Sequence, residues 1–240
     1  MLGVIGGMGP LATADFYRKL IDATPATSDE QHIPTLIHSV PQLPSRPAAI
    51  LRGGASPLPE LLSARDRLLA AGATLLAMPC NTAHHWHAEL ARGASVGFPH
   101  IADAVAAELP PAPVTVGIIA TAATLAAGIY SARLDPAIRW LAPAADEFAV
   151  AVQPAIDAVK RNDAVAGGRG IEPVVAGLLA RGAECVVLAC TELPVALDAV
   201  DSPLRSRCID STAALVRTCV RLWRARGPTQ TSPADPTPNL

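Results

Sequence analysis

Two cysteines, Cys80 and Cys190, stand at equivalent places in a segment that the chain contains twice. Residues 68–82 (LLAAGATLLAMPCNT) align without a gap on residues 178–192 (LLARGAECVVLACTE). In both copies a helix end, a Gly-Ala turn and an apolar strand deliver a cysteine followed by small polar residues. A second match lies upstream, where residues 3–11 (GVIGGMGPL) pair with residues 117–125 (GIIATAATL). The chain therefore reads as two related halves. If they face each other about a pseudo-twofold axis, two thiols meet across one cleft, which suits proton transfer on both faces of one carbon.

A free thiol titrates near about 8.5, so only a few per cent is thiolate at neutral pH unless the site helps. Each cysteine sits at a strand-to-helix turn, where the partial positive charge of a helix N-terminus is expected to favour the thiolate. One thiolate could then remove the α-proton of an amino acid while the opposing thiol returns one on the other face, with inversion. Backbone N–H groups and side chains of Asn81, Thr82, Thr121 and Thr191 would surround the α-carboxylate and stabilise the carbanion. The bland alternative for a cysteine at a strand end is a small buried hydrophobe, and it is the reading adopted for Cys185, Cys208 and Cys219. It suits Cys80 and Cys190 poorly, because an apolar core does not favour Asn-Thr and Thr-Glu as neighbours.

The elements that must position these residues are legible from periodicity. Residues 2–6 read as a buried strand, followed by Gly6-Gly7-Met8-Gly9-Pro10 and a helix over 11–21, with Pro10 in its first turn. A second strand spans 35–40 and runs into a proline-rich loop at 41–47, and a helix near 57–71 feeds the Cys80 strand. Helical turns are expected over 84–91 and 100–108. Three prolines in residues 110–113 cannot continue a helix or strand and mark a linker. Beyond it the reading gives a strand at 114–120, a helix at 125–134, a strand at 139–142, and helices at about 147–161 and 168–181 before the Cys190 strand. A short strand at 208–210 and a helix over 212–226 are expected to return to the first half. Residues 227–240 are rich in Pro, Thr and Ser, lack apolar periodicity and read as a disordered tail.

This alternation predicts an α/β fold of two pseudo-symmetric domains, each a mostly parallel sheet flanked by helices, with the site in the cleft between them. The expected division is 1–110 plus 209–226 for the first domain and 112–208 for the second. Ligands in such folds bind beyond the carboxyl ends of the strands, where all the candidate segments lie. A chain of 240 residues is long enough for two such units, and half its residues are hydrophobic but few aromatic, as expected of aliphatic cores.

Charge and composition exclude other classes. The formal net charge is −2 and no basic run tracks a face, so no nucleic-acid partner is expected. No apolar run approaches the roughly 20 residues that span a bilayer, and no secretory pattern opens the sequence, so no membrane association and a cytoplasmic location are expected. Five cysteines, an odd number, argue for reduced thiols rather than a disulfide framework. His84, His85 and His87 lie near Cys80, yet no paired Cys/His spacing makes a metal site, and none is expected.

The segments at 6–14 (GGMGPLATA), 78–84 (MPCNTAH) and 189–194 (ACTELP) resemble the aspartate/glutamate racemase family, and within it the aspartate racemase branch. The resemblance covers about residues 1–220. It implies a cofactor-independent amino-acid racemase, usually a homodimer, that takes a small amino-acid substrate and uses Cys80 and Cys190 as its two acid/base residues. It also puts Arg46 and Lys160 on the family positions that hold the distal carboxylate, a task suited to a bidentate guanidinium and a nearby ammonium. Ser45 stands where family aspartate racemases can carry an acidic residue. Glu192 is placed to orient the substrate ammonium or the thiol, Met8 and Gly9 to line the pocket through their backbone, and His84 to cap the turn or tune Cys80.

Competing readings are discriminated by chemistry. A pyridoxal-phosphate racemase needs a lysine Schiff base and a phosphate cradle, and the only lysines, Lys19 and Lys160, come without a phosphate-binding motif. Glutamate racemases, hydantoin racemases, maleate isomerases and arylmalonate decarboxylases share the fold, and the decarboxylases keep one cysteine of the two. An amino-acid-binding protein without turnover would not need either thiol.

Overall fold

The computed structural model describes residues 1–225. The expected tail at 227–240, and the last residue of the expected terminal helix, lie outside the described residues. The chain forms two parallel sheets flanked by helices. The first comprises β1 (Leu2–Gly6), β2 (Thr35–Ser39) and β3 (Leu75–Ala77) in the order β2-β1-β3. Between these strands run α1 (Pro10–Ala23), α2 (Arg46–Arg52) and α3 (Leu58–Ala70), and after β3 come α4 (His87–Ala91) and α5 (Ile101–Ala106). The second sheet orders β4 (Val114–Ala120), β5 (Ile138–Leu141), β6 (Cys185–Ala189) and β7 (Cys208–Asp210) as β5-β4-β6-β7. Its helices are α6 (Ala122–Ala126), α7 (Ala145–Glu147), α8 (Gln153–Lys160), α9 (Ala164–Ala180) and α10 (Glu192–Asp198), followed by α11 (Ser211–Ala225).

The repeat seen in the sequence is a repeat in three dimensions. β1 and β4 are internal to their sheets, and β3 and β6, the strands that lead to Cys80 and Cys190, pair with them in parallel. The two Gly-Ala turns close α3 and α9 with the same bonds. Gly72 N–H donates to Leu69 O at 2.9 Å and Ala73 N–H to Leu68 O at 3.0 Å, while Gly182 and Ala183 repeat this to Leu179 and Leu178 at 3.0 and 3.1 Å. Gly72 (φ +89°) and Gly182 (φ +96°) take the left-handed conformation that this helix stop requires.

Some elements differ from the sequence reading. The helix expected at 125–134 begins earlier, because the Thr121 hydroxyl caps it by accepting from Thr124 N–H, and it stops before Gly128, whose φ is +63°. The helix expected near 168 begins at Ala164, capped by Asp163, whose carboxylate accepts from Ala166 N–H at 3.0 Å. The helix expected from 147 starts at Ala145 and passes through a π-turn at Phe148–Val152. The strand at 208–210 does not return to the first half: it pairs with β6 and extends the second sheet. Only α11 crosses over, packing on α1 and α5.

That crossing helix sits on a core common to both sheets. Leu2 and Val4 of β1, Val116 and Ile118 of β4, and Ala214, Leu215 and Cys219 of α11 belong to one buried cluster. A charge network backs it. Lys19 of α1, only 11% exposed in its side chain, donates to Asp15 at 2.5 Å and to Asp210 at 2.7 Å, and Arg205 also reaches Asp210 at 2.7 Å. The other Asp210 oxygen caps α11 by accepting from Thr212 and Ala213 N–H. Burial alone would raise the Asp210 carboxyl, but Lys19 and Arg205 outweigh it and hold it below its ordinary value.

Lys19→Met should destabilise the fold by about 3 kcal/mol, because it leaves buried carboxylates short of a partner. The Asp210 contribution is complete above the unfolded carboxylate value of about 3.9 and is lost as pH falls through the lower folded value. Thermal melts should therefore show a large gap in Tm between wild type and variant at neutral pH that narrows in strong acid.

Candidate active site

The carboxyl ends of β1 and β4 carry the loops that floor the cleft. A Cβ at Gly7, where φ is +89°, would lie 2.4 Å from Val40 N, so only glycine fits there. Gly7 N–H donates to the Thr13 hydroxyl at 2.9 Å, which in turn donates to Gly9 O at 2.9 Å. The loop is thereby folded back on the first turn of α1, with Met8 buried and directed to the cleft.

Cys80 and Cys190 line one inner cavity of about 40 Å³, each only 5–6% exposed. Asn81, Thr82, Thr121 and Thr191 border it beside the sulfurs, and Met8, Arg46, Lys160 and Glu192 complete its wall. Gly9 alone of the residues expected at the site is not on this wall. It lines an adjoining outer chamber of about 450 Å³. Arg46, Lys160 and Glu192 border both spaces, so they form a charged ring between them. Sequence reasoning missed Pro47 and Ala189, which also line the inner cavity and carry no polar signal.

The ring is built by ordinary helix chemistry. Ser45 caps α2, its hydroxyl accepting from Ala48 N–H at 3.3 Å, which sets Arg46 as the first helical residue. One guanidinium nitrogen of Arg46 donates to Pro44 O at 3.2 Å and Leu43 O at 3.4 Å. Lys160 ends α8, where a cation suits the helix dipole. Among the described residues neither cation forms an ion pair, so both stay available to an anion.

The thiols differ from the sequence expectation. Turn N–H groups do face them, Ala83 N–H favouring the thiolate of Cys80 and Glu192 N–H that of Cys190. Burial nevertheless dominates and pushes both thiols above their ordinary value, because a thiolate in this small cavity loses its water. The two are unequal. Arg46 and, less strongly, Lys160 pull Cys80 back down against Glu192, whereas at Cys190 Glu192 adds most to the rise, its carboxylate accepting from Sγ at 3.0 Å, and Lys160 opposes it. Both therefore rest as thiols, and Cys80 is the more readily ionised of the two.

Several polar side chains are already engaged. Asn81 spends both ends of its amide on Tyr130 and Ser211, so its side chain is not free for a substrate carboxylate as expected. The hydroxyls of Thr82, Thr121 and Thr124 form a closed triangle with sides of 2.8–3.1 Å. Thr191 donates to Glu192 at 3.2 Å. His84 does not line the cavity: its Nδ1 donates to Cys80 O at 2.9 Å, and burial holds the ring neutral. Among the described residues no group of three His, Cys, Asp or Glu side chains could hold a metal, and no helix is long and apolar enough to cross a membrane.

Comparison with known proteins converges on this fold. A family model described as Asp/Glu/Hydantoin racemase matches residues 5–219. The broad specificity amino-acid racemase RacX of Bacillus subtilis (strain 168) is 26% identical over 238 residues, covering 94% of this chain and 99% of that protein. The solved aspartate racemase of Picrophilus torridus is 32% identical with a TM-score of 0.80, covering 92% of this chain and 93% of that one. An aspartate racemase homologue from Pyrococcus horikoshii OT3 is 25% identical with a TM-score of 0.70, covering 92% and 97%. With a family match over nearly the whole described chain, and two parallel-sheet halves meeting at paired thiols, this protein belongs to the Asp/Glu/hydantoin racemase family and is an amino-acid racemase.

Proposed function

We propose that this racemase interconverts L- and D-aspartate by a two-thiol mechanism. The observation that carries the reading is the sharing of one small cavity by two buried thiols whose rim presents two cations and one carboxylate. Aspartate presents the complementary set, two carboxylates and one ammonium. Arg46 and Lys160 would hold the distal carboxylate and Glu192 the ammonium, leaving the α-carbon between the sulfurs. The Picrophilus torridus relative, named as an aspartate racemase, supports the same substrate.

The reactive form is the one in which Cys80, the more readily ionised thiol, has lost its proton to solvent; this thiolate takes the α-proton, and the electron pair passes into the α-carboxylate as an enediolate. Cys190, held as a thiol by Glu192, donates its proton to the other face. The enzyme is left with Cys80 as thiol and Cys190 as thiolate, ready for the opposite enantiomer. The cavity that raises the thiols makes their thiolates stronger bases, which matters for a weakly acidic α-proton. Substrate charge alters the balance on binding, because the ammonium beside Glu192 offsets the carboxylate that suppresses the Cys190 thiolate. The α-carboxylate would be met by turn N–H groups and by a threonine hydroxyl released from its triangle.

One observation favours a wider substrate range. The inner cavity of about 40 Å³ admits a few waters but not a whole amino acid, so a substrate must also occupy the ring and extend toward the outer chamber. Pro10, Leu11, Pro41 and Val159 give that chamber an apolar wall suited to added methylenes. The broad specificity named for the Bacillus subtilis relative is in keeping with this.

With L-aspartate in deuterated buffer, the wild type should incorporate deuterium at Cα and form D-aspartate. Cys80→Ser and Cys190→Ser should each lower kcat by about 10³-fold, and retained turnover in either would overturn the two-thiol reading. Arg46→Ala should raise KM for aspartate by about 10- to 100-fold, the worth of a charge-assisted contact. Ultraviolet titration of the thiolate in single-cysteine backgrounds should show Glu192→Gln moving Cys190 to lower pH and Arg46→Ala moving Cys80 to higher pH.

A further inference from the structure

The side chain next to Cys80 is tied to β6, the strand that leads to Cys190, by an unbroken buried chain. Asn81 Nδ2 donates to Ser211 Oγ at 3.0 Å, and Ser211 Oγ donates to Leu188 O at 2.8 Å, two residues before Cys190. On the other side, Tyr130 donates to Asn81 Oδ1 at 2.5 Å. Asn81, Tyr130 and Ser211 are at most 3% exposed. Burial pushes the Tyr130 hydroxyl up, so it stays protonated and serves as the donor that Asn81 Oδ1 needs.

The link is well placed to set a distance. Asn81 follows Cys80 directly, Tyr130 comes from the turn after α6, and Ser211 is the first residue of α11, the helix that bridges the halves. The amide of Asn81 is bonded at both ends, which fixes its orientation. No member but Asn81 touches the cavity.

We propose that Tyr130 and Ser211 are positioning residues that act through Asn81 to fix the spacing between the two thiols. Reprotonation on the second face needs both sulfurs within reach of one carbon at once, a geometry in which errors near 1 Å cost about 100-fold. The catalytic half of this inference rests on the two-thiol reading above; the spacing half does not.

The test uses the full chain. Ser211→Ala and Tyr130→Phe should each lower kcat for aspartate about 10- to 100-fold with KM within twofold of wild type. A second readout is geometric and independent of turnover. Bifunctional thiol reagents of graded length, scored by intact mass and peptide mapping, should bridge Cys80 and Cys190 at one preferred span in wild type, and the preference should shift or broaden in both variants. Val175→Ala, a buried truncation in α9 outside the core common to both sheets, should lower Tm without changing kcat or the preferred span. If Ser211→Ala fails to fold, Tyr130→Phe alone decides the matter. Wild-type kcat and an unchanged span in Tyr130→Phe would overturn the proposal. A wild-type enzyme that does not exchange the aspartate α-proton, yet shows the shifted span in the variants, would sink the substrate reading and leave the spacing role standing.

Discussion

Two sulfurs delivered by different sheets line one small cavity and are nearly buried there, and that constraint runs through the rest of the architecture. A parallel strand ends where its chain turns into a helix, so polar residues placed just beyond the strand collect at one edge of the sheet. Repeating the unit and facing the two edges toward each other puts both cysteines into the same small space. Relative placement of the halves then sets how far apart the sulfurs lie. The common core beneath β1, β4 and α11 and the buried Lys19–Asp210 contact hold it.

Excluding water has opposing effects on the thiols. It penalises the thiolate, which is why neither cysteine benefits on balance from the turn N–H groups that face it. It also strengthens every charge at the rim. Arg46, Lys160 and Glu192 therefore act on the sulfurs before any substrate arrives, and they act unequally on the two. A pseudo-symmetric backbone thus carries an asymmetric electrostatic field, in which the Cys80 thiol is the more readily ionised of the two.

The polar residues around the cysteines divide into two kinds that look alike in the sequence. Arg46 and Lys160 have no ion-pair partner among the described residues and face the space a ligand would fill. Asn81 and Thr82 lie on the cavity wall, yet their side chains are committed to contacts with the second half. A buried amide with both ends bonded is costly to redirect, so Asn81 is better understood as part of the frame.

Much of this protein was legible in the order of its residues. The duplicated segment, with Gly72 and Gly182 as helix stops and a cysteine after each apolar strand, depends on local propensity and periodicity, which a chain carries wherever it folds. The same local logic placed Gly7 at the carboxyl end of a strand, whereas Arg46 and Lys160 stood out only through the family resemblance. Tertiary structure alone decided that β7 joins the second sheet, that Ser211 lies 130 residues along the chain from the Asn81 it bonds, and that burial outweighs the turn N–H groups at both thiols. Those outcomes depend on which surfaces close over a group and how much water they remove, quantities set by the whole packed chain and not by any segment of it.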